Sequence, residues 1–100
     1  MKYTENSMNT TKLKSYVGLA QRANAVLYGE DAIEEKQRLA KVVLLSSCAS
    51  EKYRERVKNK IKTCPLFEVD CLQECLHRDN VLAVAITNVN LANEIIALLR

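Results

Sequence analysis

Tryptophan is absent from this chain of 100 residues, proline occurs once and glycine twice. With so few breakers, a loop-rich architecture is not expected; helices joined by short connections are. Aromatic residues make up only 5% of the chain. They do not interleave with its basic stretch as a stacking platform for single-stranded nucleic acid would require. No apolar run approaches the roughly 20 residues of a membrane span. Met1 to Thr11 is polar and carries no signal-peptide core. These absences point to a cytoplasmic protein with reduced thiols. The glycine motifs of nucleotide binding and the G-x-S-x-G nucleophile turn are missing too. The single histidine, His77, has no Cys or Ser partner in a suggestive local context. With no assembled acid, base and nucleophile, an enzyme is not expected, and no cofactor is implied.

What is present is an ordinary globular composition, 48% hydrophobic and 27% charged, in a length that suits one domain. The net charge of +3 permits a polyanionic partner without demanding one. Four cysteines, Cys48, Cys64, Cys71 and Cys75, invite a test for metal. Structural zinc favours C-x₂₋₄-C pairs in turns, usually two of them. Here Cys71 and Cys75 share a predicted helix and the other two stand alone, so buried thiols are the reading and no metal is expected.

The stretch Lys41-Val-Val-Leu-Leu-Ser46 is the centre of the chain. An apolar run without polar alternation is a strand covered on both faces. Around it, residues 1–9 read as a weakly ordered lead-in. A helix is expected over Lys12–Asn24, with Leu13, Tyr16, Val17, Ala20 and Ala23 on one side. A short strand over Ala25–Tyr28 ends at Gly29. A second helix follows over Glu30–Leu39, with Ala32, Ile33, Leu39 and Ala40 turned inward. Ser50 is a good N-cap for a third helix, Glu51–Lys62, whose apolar residues are Tyr53, Val57 and Ile61. Leu66–Val69 reads as a strand. Asp70 with Gln73 resembles a capping box for a short helix through Leu76. Val81–Ile86 reads as a second fully buried strand, and Asn90 as the N-cap of a final helix. Strands alternating with helices in the order α-β-α-β-α-β-α-β-α call for a sheet between helix layers.

Two stretches carry binding chemistry. The third helix holds Lys52, Arg54, Arg56, Lys58, Lys60 and Lys62. These residues surround the helix rather than forming one stripe. A solvated face is the plain explanation; a raised local potential for phosphate is the functional one. The turn Tyr28-Gly29-Glu30-Asp31 could offer backbone N–H groups at a helix start, or be a turn only. Its acidic pair suits base amino groups better than phosphates.

Several segments together resemble the ribosomal protein L-seven-Ae family, most closely its small bacterial YlxQ-like branch. They are Val17-Gly-Leu-Ala-Gln-Arg-Ala23, Tyr28-Gly29-Glu30-Asp31, Val43-Leu-Leu-Ser-Ser-Cys-Ala-Ser50 and Leu82-Ala-Val-Ala-Ile-Thr87. The likeness spans about Lys12 to Leu99. It implies a three-layer α/β/α sandwich around a mixed four-stranded sheet, and binding to structured RNA such as a kink-turn or related internal loop, in ribosomal or other noncoding RNA. By that resemblance Gly29, Glu30, Asp31 and Ala32 form the recognition turn. Ser47 and Cys48 form the loop after the central strand, and His77, Arg78 and the residues to Leu82 a second recognition loop. The family's Leu-Gly-x-Ala-x-Gly pattern reads Leu72-Gln-Glu-Cys-Leu-His77 here, so Gln73 and His77 stand where glycines would. Lys36, Arg38, Arg78 and Lys41 are the expected phosphate contacts. The expectation is thus a noncatalytic, monomeric RNA-binding protein of the translation machinery. The alternative is a protein-interaction module on the same scaffold. Gly29→Asp is expected to weaken RNA binding with little loss of folding.

Overall fold

The computed structural model describes residues 7–70, 72–77 and 80–100. The elements run α1 (Ser7–Arg22), β1 (Val26–Tyr28), α2 (Glu30–Glu35), a 3₁₀ turn (Gln37–Leu39), β2 (Val42–Ser46), α3 (Glu51–Lys60), β3 (Leu66–Val69), α4 (Leu72–Leu76), β4 (Ala83–Ile86) and α5 (Val89–Leu99). The four strands form one mixed sheet in the order β1-β4-β2-β3. The central strand β2 is parallel to β3 and antiparallel to β4, and β1 is antiparallel to β4.

Alternation along the strands divides the apolar side chains between two layers. Val42, Leu44, Phe67, Val69, Val84 and Ile86 face α1, α4 and α5, joining Leu13, Val17, Leu72, Ile95 and Leu99. Val43, Leu45, Leu66, Ala83 and Ala85 face the other way, onto Ile33, Val57 and Ile61 of α2 and α3. On this second face the pairs are Val43 with Ala85 and Leu45 with Ala83. The small alanines of β4 leave room there for the short helix α2. β2 and β4, the two interior strands, are buried at every position. The chain is thus the expected three-layer sandwich around a mixed four-stranded sheet.

The differences from the sequence-based expectation are local. α1 begins at Ser7, within the expected lead-in. α2 is α-helical for only six residues before tightening into the 3₁₀ turn, and Leu39, expected inside, is 45% exposed. The chain must return from α2 to the start of β2 within a few residues, and the tighter turn rotates Leu39 outward. The N-cap of α5 is Asn88, whose side chain accepts from the Leu91 N–H at 3.0 Å; Asn90 lies inside the helix. Ser50 caps α3 as expected, accepting from the Tyr53 N–H.

The basic helix α3 is where the plain reading and the functional reading both give way to a third. Its cations divide into two rows. Arg54 and Lys58 turn to the Glu68 carboxylate on edge strand β3, at 2.7 and 2.6 Å. Arg56 and Lys60 turn to α2: Arg56 meets Glu30 at 2.6 Å, and Lys60 meets Glu34 at 3.0 Å. Arg56 also lies over the Tyr53 ring, 5.2 Å from its centre. Four of the helix's cations therefore lock it between its two neighbours.

Glu68 is almost fully buried, and an inward-pointing charge on an edge strand also discourages pairing with another chain. The hydrogen bond from Lys58, followed by that from Arg54, holds its carboxyl below the usual range; Arg56 does the same for Glu30. Their contribution to stability is complete above the unfolded glutamate value of about 4.3 and is lost as pH falls through the lower folded values. Glu68→Gln leaves two cations half-satisfied and should cost about 1–3 kcal/mol at neutral pH. Urea unfolding at pH 7 and pH 3 checks this: the gap between wild type and variant should narrow at the lower pH.

Candidate nucleic-acid interface

The carboxyl ends of β1, β2 and β3 and the amino end of β4 share one end of the sheet, as the strand directions require. The Gly29 turn, the end of β2 before Ser47–Cys48 and the approach to β4 at Leu82 therefore meet at a single corner. Backbone bonds join them. The Gly29 N–H donates to the Ala83 carbonyl at 2.8 Å, the Ser46 N–H to Leu82 at 2.8 Å and the Ser47 N–H to Val69 at 3.1 Å.

Gly29 carries φ 87° and ψ 160°, a region that side-chain-bearing residues avoid. A Cβ built there meets no atom within 4 Å, so the space outside the turn is open. The glycine is needed for its backbone angles and not to avoid a collision. Against the expectation that Gly29→Asp would bring little loss of folding, any side chain at this φ is strained.

Glu30 points away from the corner's opening, into the Arg56 and Lys60 pair. Asp31 is exposed and Ala32 half-buried. Ser47 is half-buried and its hydroxyl donates to Asp70; Cys48 is exposed. Lys36 sits at the C-cap of α2, the far end of that helix from Gly29. Arg38 and Lys41 lie farther still, on the segment that leads to the amino end of β2. The structure therefore separates these two from the corner whose flanking phosphates they were expected to meet. Arg78 falls outside the described residues.

Two glutamines hold the corner together, neither foreseen as a site residue. Gln73 of α4 donates to Ser46 Oγ at 3.1 Å and to the Val81 carbonyl at 3.4 Å, tying the end of β2 to the approach to β4. Ser46 Oγ in turn accepts from the Cys48 N–H at 3.2 Å and shapes the turn. Gln21 of α1 donates to the Leu76 carbonyl at 3.1 Å and to the Tyr28 hydroxyl at 3.2 Å. Leu76 and Ser46 lie far from these glutamines in the chain, and Tyr28 and Val81 belong to other segments, so no spacing signal announces them. His77 adopts φ 56°, the left-handed conformation that favours glycine after a helix end. The backbone shape associated with a glycine thus survives at His77 despite its side chain.

In charge the corner is rich in acceptors: Glu30, Asp31, Glu51 and Asp70 stand at the starts of α2, α3 and the β3–α4 connection. Among the described residues no three His, Cys, Asp or Glu side chains gather into a metal-ligating group. Cys75 is buried, Cys48 exposed, and burial pushes the Cys64 thiol up; Cys71 is outside the described residues. No described helix is long and apolar enough to cross a membrane.

Two backbone positions should respond in opposite senses. Gly29→Ala should lose about 1–3 kcal/mol, from the positive φ alone. His77→Gly should gain up to about 1 kcal/mol by relieving the left-handed strain. Chemical denaturation of both variants beside the wild type checks the pair.

Among solved structures the chain is similar to a protein with unknown function from Bacillus halodurans. The TM-score is 0.78 at 22% identity, over 88% of this chain and 96% of that one. It is also similar to the Giardia lamblia 15.5kD RNA binding protein, with a TM-score of 0.67 at 13% identity, over 95% of this chain and 90% of that one. These are likenesses of fold. No family model and no curated protein matches the sequence.

Proposed function

We propose that this chain is a noncatalytic RNA-binding protein that docks the Gly29 corner into a bent or internally looped RNA. The observation that carries the reading is the convergence of three separate segments on one open corner. Support comes from the backbone bonds that bring the Gly29 turn, the end of β2 before Ser47–Cys48 and the approach to β4 at Leu82 and Ala83 to one end of the sheet, with open space outside Gly29. The fold shared with an RNA-binding protein supports the partner class, as does the sequence resemblance to kink-turn-binding ribosomal proteins.

The chemistry suits bases more than phosphates. Structured RNA is read in a sequence-dependent way where unpaired bases splay out and expose their edges. Asp31 and the Ser47 hydroxyl are acceptors for base amino and imino donors at such a site. Glu30, held by Arg56 and Lys60, orients the first turn of α2 and is a positioning group. Ala32 follows it, half-buried, in the same turn. In this reading Cys48 borders the docking surface, and His77 and its chain neighbour Arg78 belong to the second recognition loop. Lys36, at the far end of α2 from Gly29, stands apart from these groups.

The rival reading, a protein-interaction module, draws on one observation: the exposed carboxylates Asp31 and Glu51 would suit a basic peptide. Purification of the tagged protein from cells separates the two by whether nucleic-acid absorbance or a stoichiometric protein accompanies it.

Cys48→Glu is the direct test of the corner, because Cys48 is exposed and forms no disulfide. A carboxylate there should weaken binding to a kink-turn RNA by about 10-fold, about 1.4 kcal/mol, with an unchanged melting temperature. Equal affinity of variant and wild type would remove the corner from the binding surface.

A further inference from the structure

The opposite end of the sheet has the opposite electrostatic character. There the segments 23–25, 36–41, 61–65 and 87–88 connect the elements, and they contain no Asp or Glu. They do contain Lys36, Arg38, Lys41 and Lys62, all exposed. Backbone bonds place these connections side by side. The Thr87 N–H donates to Ala25 at 2.9 Å, the Lys41 N–H to Ile86 at 2.8 Å and the Val43 N–H to Pro65 at 2.9 Å. Lys41 also lies near enough to Cys64 for its charge to act on the thiol.

The contrast with α3 is what gives this pole its meaning. Arg54, Arg56, Lys58 and Lys60 are consumed by carboxylates of the fold. No ion pair within the described residues engages Lys36, Arg38, Lys41 or Lys62. A carboxylate at Glu35 borders the pole, at the end of α2. Like cations left together without internal partners raise the local potential for an anion.

We propose that Arg38, Lys41 and Lys62, with Lys36 at their margin, form a second RNA contact that holds the phosphate backbone of a duplex without reading its sequence. Naming RNA as the polyanion rests on the function proposed above; the site itself rests on the charge distribution. Lys41 and Ser47 lie at opposite ends of β2. At the strand rise of ~3.3 Å per residue they are about 20 Å apart. That exceeds the Debye length of ~8 Å at physiological ionic strength, so the two ends act as independent electrostatic surfaces. The described residues span only 31 × 26 × 24 Å. An RNA segment docked at the corner and one lying on the pole are therefore separate segments, and the protein bridges them.

The test uses the full chain and two probes: a plain 20-base-pair RNA duplex with no internal loop, and a kink-turn RNA. The variant is Arg38→Gln/Lys41→Gln/Lys62→Gln, which alters exposed side chains only. The wild type should bind the plain duplex, with affinity falling steeply as salt rises. The triple variant should lose at least 10-fold in duplex affinity. Its log–log salt slope should flatten by about two to three, the value for three phosphate contacts. Its melting temperature should not change. A gel-shift with both RNAs present should show a ternary complex for wild type and none for the triple variant. The Cys48→Glu variant distinguishes the two sites: it should spare duplex binding while weakening the kink-turn complex. If Cys48→Glu is silent and the triple variant still loses the duplex, the pole stands and the corner falls. Three results overturn the pole: no duplex binding by wild type, an unchanged salt slope in the triple variant, or binding to phosphatidylserine vesicles in preference to either RNA.

Discussion

Everything in this molecule follows from burying β2 on both faces. Its five residues include no exposed side chain, so each face needs a layer of helix. Parallel pairing with β3 then requires a crossover, which α3 supplies. Antiparallel pairing with β4 closes the other side. Once those directions are set, α2, α3 and α4 must all begin near the same end of the sheet, because each follows the carboxyl end of a strand. The open corner is a consequence of that geometry. Its chemistry is carried by short segments whose positions the buried strand dictates.

The same geometry sorts charge. Helix starts favour carboxylates, and the corner accordingly collects Glu30, Asp31 and Glu51. The connections at the other end carry the lysines and arginine that precede β2 and β3. Between the two ends, α3 uses opposite-signed neighbours to hold itself in place, with Glu68 on one side and Glu30 and Glu34 on the other. A net charge of +3 conceals this arrangement, because most of the cations that dominate a linear reading of α3 are already paired. The cations at the far end of the sheet have no ion pair among the described residues, and they are the ones left to raise the local potential for an anion. The corner, by contrast, holds acceptors at its helix starts.

The resemblance in the sequence was carried by element order and by short segments, and the structure supports it at the level of fold. At the corner, the positive φ of Gly29 was legible as a turn glycine, although its backbone angles make it a folding residue as well. His77 was legible only as a lost glycine; that its backbone remains left-handed could be seen only in three dimensions. Gln73 and Gln21 were invisible as site residues, because their partners Ser46, Val81, Leu76 and Tyr28 are brought to them by the tertiary fold. The expected phosphate contacts Arg38 and Lys41 followed the corner in sequence, but the turn after α2 carries them to the other end of the sheet.

By itself the sequence determined the number and order of elements, the double-sided burial of β2 and β4, and the Ser50 cap. Those features depend on side-chain periodicity and on neighbours within one helical turn. Only the tertiary structure decided the sheet order, the two-way division of the α3 cations, the exposure of Leu39 and the separation of the corner from the basic pole. Each of those depends on which distant segment lies alongside, and a Coulomb or hydrogen-bond partner is chosen by distance in space rather than along the chain.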